Sequence, residues 1–182
     1  MSLNPSHPLD TAPGVAPDVL DRLLGISPGS NLHAVRHARD KVASATQGSQ
    51  DLFFAPELPG NLPLTERLWV AYYAAHLTPH PTLAAHYLAQ LHTQGVDALS
   101  VASVDSGVLC EVSDPRLRGI LAFTRTLIES PVHGDQGALQ ALQNVGLSTE
   151  EIVVLAQLVA FMSYQVRLAA GLGALLSAGE AP

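Results

Sequence analysis

The stretch Thr65–His92, TERLWVAYYAAHLTPHPTLAAHYLAQLH, carries four of the chain's eight histidines and decides the fold class. Its apolar residues recur at helical intervals, and two prolines divide it. Thr65 is positioned to cap a first helix, with Glu66 in the first turn, where a carboxylate meets the positive end of the helix dipole. Pro79 and Pro81 stop that helix near residue 78, because proline lacks an N–H and clashes with the preceding turn. Pro81 in turn suits the first position of a second helix, which runs to about Gly95. The stretch therefore reads as two helices joined by a short corner, and such helices usually pack antiparallel.

Outward from this corner the punctuation stays helical. Residues 1–16 read as a flexible leader without the basic start and apolar run of a signal peptide. DVLDRLLGI is a short helix ending near Gly25. A turn at Pro28-Gly29 and a cap at Ser30 start the next helix, which Gly48 either breaks or interrupts without ending. APELPGNLP is a loop. Residues 96–104 are weakly helical in pattern. Asp114-Pro115 opens PRLRGILAFTRTLIES, which SPVHGD ends, and QGALQALQNVG closes at Gly146. Ser148 and Glu151 have the spacing of a capping box at the head of a long apolar helix. No stretch shows sustained strand alternation, so the expectation is an all-α fold with one helical domain over 17–177. LTER and LSTEE both open apolar helices after a capped turn, which suggests two weakly related repeats, 17–95 and 114–177.

Composition narrows the function. The 182 residues are 47% hydrophobic and only 14% charged, with a mean hydropathy of +0.22. So few charges on a small protein imply that surface is buried between subunits, so a homo-oligomer is expected. Net charge is −7, and the nine Lys and Arg residues are scattered. Nucleic-acid backbones and anionic membranes need clustered basic residues, so neither is an expected partner. Residues 152–176 are long enough to span a bilayer, but Gln157, Gln165 and Arg167 interrupt them, and a buried core helix is the preferred reading. The lone Cys110 forms no intrachain disulfide and fits a reducing cytoplasm.

Histidine exchanges protons near neutral pH, and a nearby carboxylate can fix its tautomer. Glu66 and His86 lie on consecutive helices, so contact between them is sterically open, with a helix-start glutamate and a core histidine as the plain alternative. His76 and His80 have the four-residue spacing of helix-borne metal ligands, but the prolines break that helix, and no metal is expected. His33 and His37, also four apart, read as a solvated face beside Arg36 and Arg39. There is no serine-nucleophile elbow, phosphate loop or dinucleotide glycine pattern.

The segments LTERLWVAYYAAHLTPHPTLAAHYLAQL, DPRLRGILAFTRTLIESP and GLSTEEIVVLAQLVAFMSYQVRLAAGLGAL together resemble the alkylhydroperoxidase D-like and carboxymuconolactone decarboxylase superfamily. The resemblance covers most of residues 18–176 and implies an AhpD-like helical bundle assembling as dimers to hexamers. Peroxidase members use a C-x-x-C pair followed by histidine, with an upstream glutamate. Glu66 and His86 match that glutamate and histidine, but the cysteine positions fall on Pro79 and Thr82. Dithiol peroxide reduction needs two thiols, which these residues do not supply.

Three expectations follow from the resemblance. The first is acid–base chemistry on a small molecule such as a lactone-acid, with Glu66, His86 and His80 catalytic, Arg67 and His76 binding substrate, and no cofactor. The second is a non-catalytic structural or regulatory subunit, paired with itself or with a cysteine-containing relative. The third is residual peroxidase activity through Cys110 and an external thiol, which requires an exposed, activated sulfur.

Overall fold

The computed structural model describes residues 18–60 and 62–179. The expected leader, 1–16, lies outside them. Among the described residues the chain forms nine α-helices, two 3-10 turns and no strand. The helices are α1 (Val19–Leu24), α2 (Asn31–His37), α3 (Asp40–Phe53), α4 (Leu64–Leu77), α5 (Pro81–Thr93), α6 (Ala98–Asp105), α7 (Pro115–Glu129), α8 (Gln136–Asn144) and α9 (Thr149–Gly179).

Local chemistry explains most of these boundaries. Asp18 accepts hydrogen bonds from the N–H groups of Leu20 and Asp21 at the head of α1, and Gly25 closes it in the left-handed conformation at φ 71°. Ser30 caps α2, and Asp114 caps α7 ahead of Pro115. Ser148 and Glu151 form the expected reciprocal box: Ser148 N–H donates to Glu151 Oε2 at 2.7 Å, and Glu151 N–H donates to Ser148 Oγ at 3.2 Å. The expected Thr65 cap is not formed. Helix α4 starts two residues earlier, at Leu64 behind Pro63, with no side-chain cap, because the stiff Pro63 already sets the entry of the chain.

Helix α4 is the centre of the molecule. Every residue from Arg67 to Ala75 is buried, so this helix is apolar nearly all round and needs cover on every side. Helices α5, α7 and α9 supply that cover. Helix α9 is long and apolar enough to cross a membrane, yet half of its most apolar window is buried within the protein. Leu155, Leu158, Met162, Val166 and Ala169 line that buried side.

Gly48 is tolerated inside α3, and the chain breaks instead at Ala38–Arg39. The break lets two faces point different ways. His33, Arg36 and His37 on α2 meet α1, while Thr46 and Gln50 on α3 reach α5 and α9. There, Tyr87 O–H faces the side-chain oxygens of Gln165 (2.7 Å) and Gln50 (3.0 Å), and Gln165 Nε2 donates to Gln50 Oε1 (2.7 Å).

Candidate functional site

Glu66 and His86 are given different partners. Arg116 of α7 grips Glu66 as a fork: Nε donates to Oε1 at 2.7 Å and Nη2 to Oε2 at 3.1 Å. The same Nη2 donates to Glu151 Oε1 at 2.5 Å, and Nη1 to the Gly146 carbonyl at 3.2 Å. One guanidinium thus ties the starts of α4, α7 and α9 together. The hydrogen bonds to Glu66, and then those to Glu151, raise the Arg116 pKa above its ordinary value. Burial works to raise Glu151, but the Ser148 N–H and Arg116 outweigh it and hold that carboxyl below the usual range.

His86 is half-buried on α5. Gln90 Nε2 donates to its Nε2 at 3.0 Å, which assigns the ring proton to Nδ1. Burial, then the positive Arg22, lower its pKa. No hydrogen bond or ion pair joins His86 to Glu66 among the described residues. Glu66, at the start of α4, pairs with Arg116, and His86, midway along the returning helix, pairs with Gln90.

Arg67, expected to hold a substrate carboxylate, is 1% exposed. Its Nε donates to the carbonyl of Leu62 (2.9 Å), and Nη1 donates to those of Phe53 (2.5 Å) and Ala55 (2.9 Å). The guanidinium organises the loop between α3 and α4. His80 is the N-cap of α5, its Nδ1 accepting from Leu83 N–H at 3.4 Å. His76 is exposed, stacks beside Tyr73 and lies 3.9 Å from an Asp105 oxygen. That oxygen already accepts from Tyr72 O–H at 2.6 Å. Cys110 is exposed in a 3-10 turn.

A different cluster of titratable side chains converges between α1 and α2. Asp21 is 7% exposed. Its Oδ2 lies 2.6 Å from His37 Nε2 and 3.8 Å from His33 Nε2, and its Oδ1 accepts from Arg36 Nη1 at 2.7 Å. The other Arg36 nitrogen reaches the Asp18 carboxylate at 2.9 Å. The two imidazoles lie face to face, with centroids 4.3 Å apart and 30° between planes. They open onto a cleft of about 620 Å³ that Arg22 and Asp51 also line. The solvated-face reading of His33 and His37 is corrected here. The missed signal was complementary spacing: Asp18 and Asp21 on one short helix, His33, Arg36 and His37 on the next, and the tight GISPGS connection that folds one onto the other.

Beside this cluster runs an apolar cleft of about 570 Å³ between α2–α3 and the far half of α9, lined by Leu32, Val35, Val42, Leu168, Leu172 and Leu175. Thr46 Oγ1 and Tyr164 O–H share a hydrogen bond of 2.9 Å at its edge.

Comparison with known protein families finds no family model that matches the chain, and comparison with curated proteins finds no match.

Proposed function

We propose that this protein is a self-associating helical subunit built on an AhpD-like scaffold, in which the α4–α5 corner has become structural. The observation that carries this reading is the occupation of both Glu66 oxygens by Arg116. The fork directs both oxygens at a guanidinium that also holds Glu151, and among the described residues neither oxygen makes a hydrogen bond to an imidazole. Arg67 supports the same conclusion, because its donors are committed to loop carbonyls.

Self-association is supported by α9. Val153, Gln157, Ala160, Tyr164, Arg167, Gly171 and Ala174 are exposed and follow one another in alternating steps of four and three. That is the seam period of paired helices, and Gln157 and Arg167 would set the register within it. Leu175 on α9, Val35 on α2 and Val42 on α3 continue the exposed apolar surface beside it. A second copy of this chain covers that surface, and the lone cysteine suits assembly in the cytoplasm. Native mass measurement tests the proposal. The wild type should run as a dimer or larger at micromolar concentration, and the double variant Val153→Glu/Ala160→Arg as a folded monomer. A monomeric wild type refutes self-assembly, and assembly only with a dithiol-bearing relative would move the role to a regulatory partner.

A second reading, acid–base chemistry on a small lactone-acid, is favoured by one observation. Burial and Arg22 lower the pKa of His86 and so keep its imidazole in the basic form at neutral pH. On this reading Gln90, not Glu66, orients the ring. Turnover would then be lost in His86→Gln and retained in Glu66→Gln, and equal loss in both would return the dyad to Glu66.

A further inference from the structure

We infer that Asp21, His33 and His37 form a binding site for a divalent transition-metal ion, with Zn²⁺ the best-matched species. This goes beyond the self-association reading and does not depend on it. One carboxylate oxygen and two imidazole nitrogens offer ligand atoms that all lie within 4.8 Å of one another. Three protein donors of this kind leave a fourth position for water or a small oxygen ligand, the arrangement of open zinc sites.

The distances are close to those a metal needs. Tetrahedral zinc with bonds of about 2.0–2.2 Å separates neighbouring donor atoms by roughly 3.4 Å. The His37–Asp21 separation of 2.6 Å must open by about 0.8 Å, and the His33–Asp21 separation of 3.8 Å must close by about 0.4 Å. Both adjustments fall on imidazoles with room to turn, His33 at 29% and His37 at 31% side-chain exposure.

The carboxylate that would ligate the ion is already shared between His37 and Arg36. Its Nε2 faces Asp21 Oδ2 at 2.6 Å and Arg36 Nη1 at 3.2 Å. One ring nitrogen cannot donate to the carboxylate while accepting from the guanidinium. A metal between Nε2 and Oδ2 would take the place of the proton there and use the same ring lone pair, so Arg36 Nη1 donates to Asp21 Oδ1 alone, at 2.7 Å. Arg36 then holds the second oxygen of the ligating carboxylate, an outer partner that fixes its orientation.

Charge is the opposing consideration, since Arg36 and Arg22 are cationic. Asp18, Asp21 and Asp51 face the same cleft. Three carboxylates against two guanidiniums leave the neighbourhood negative while the imidazoles are neutral.

The test uses the full chain without a histidine tag, stripped with chelator and titrated with Co²⁺ and Zn²⁺. One Co²⁺ per chain should bind, with the intense visible absorption of four- or five-coordinate cobalt, and Zn²⁺ should displace it. His33→Gln and His37→Gln should each weaken binding at least tenfold, while His92→Gln binds as the wild type. Side-chain ¹⁵N shifts of His33 and His37 on Zn²⁺ addition give a readout that needs no variant. Absence of stoichiometric binding, unmoved ¹⁵N shifts, or undiminished binding by a folded His33→Gln/His37→Gln protein would overturn the assignment.

Discussion

Replacing Arg67 with methionine separates a structural arginine from a substrate-binding one. Methionine preserves much of the aliphatic stem, so the change reports chiefly on the guanidinium. In the native protein that group satisfies the carbonyls of Leu62, Phe53 and Ala55, and more weakly Pro56 at 3.4 Å. Each orphaned acceptor costs about 1–3 kcal/mol, so three cost roughly 3–9 kcal/mol. Against this stands relief of burying a cation, the effect that lowers the Arg67 pKa and that offsets several kcal/mol in buried charges. The net expectation is a loss of about 3–5 kcal/mol, which for a chain of this size lowers the melting temperature by roughly 6–20 °C. Urea unfolding followed by far-UV circular dichroism measures it directly. A loss below about 1 kcal/mol would show that the loop before α4 does not depend on this side chain, and the structural reading of the corner would fail with it.

Two further perturbations probe the polar contacts. Glu151 has a folded-state pKa held below the ordinary glutamate value of 4.5. Its contribution to stability is therefore fully present above that value and is lost as pH falls through the depressed one. Comparing urea midpoints of wild type and Glu151→Gln at pH 7 and near pH 3 should show a smaller acid-induced loss in the variant, and parallel loss would contradict the Arg116 clamp. Tyr87→Phe removes a hydroxyl buried against Gln50 and Gln165 and should cost about 1–3 kcal/mol by the same unfolding assay, because the two amides remain; an unchanged midpoint would mean that the amides satisfy each other.

The fold class was legible because helix punctuation is local. Asp18, Ser30, Asp114 and the Ser148–Glu151 box each act within a turn of where they stand, so sequence spacing alone locates them. Pro81 likewise marks the start of α5. The break at Ala38–Arg39 was not legible, since nothing local forbids a continuous helix; distant partners on α1, α5 and α9 impose it. The partner of Glu66 was not legible for a related reason. Glu66 was paired with the nearest histidine-bearing helix, whereas Arg116 reaches it from α7, fifty residues away. His33 and His37 looked solvated because the acids that meet them lie across a turn, on a helix too short to show a face.

The burial of α4 on all sides has a consequence for biosynthesis. Its α7 and α9 cover is translated after it, α9 last, about a hundred residues downstream. At ~5–20 residues per second, the ribosome leaves this apolar rod covered only on its α5 side, without α9, for roughly 5–20 s. Until α9 emerges, the nascent chain presents apolar surface of the kind that chaperones shield, and truncations that remove α9 should be recovered in the insoluble fraction rather than as a smaller folded protein.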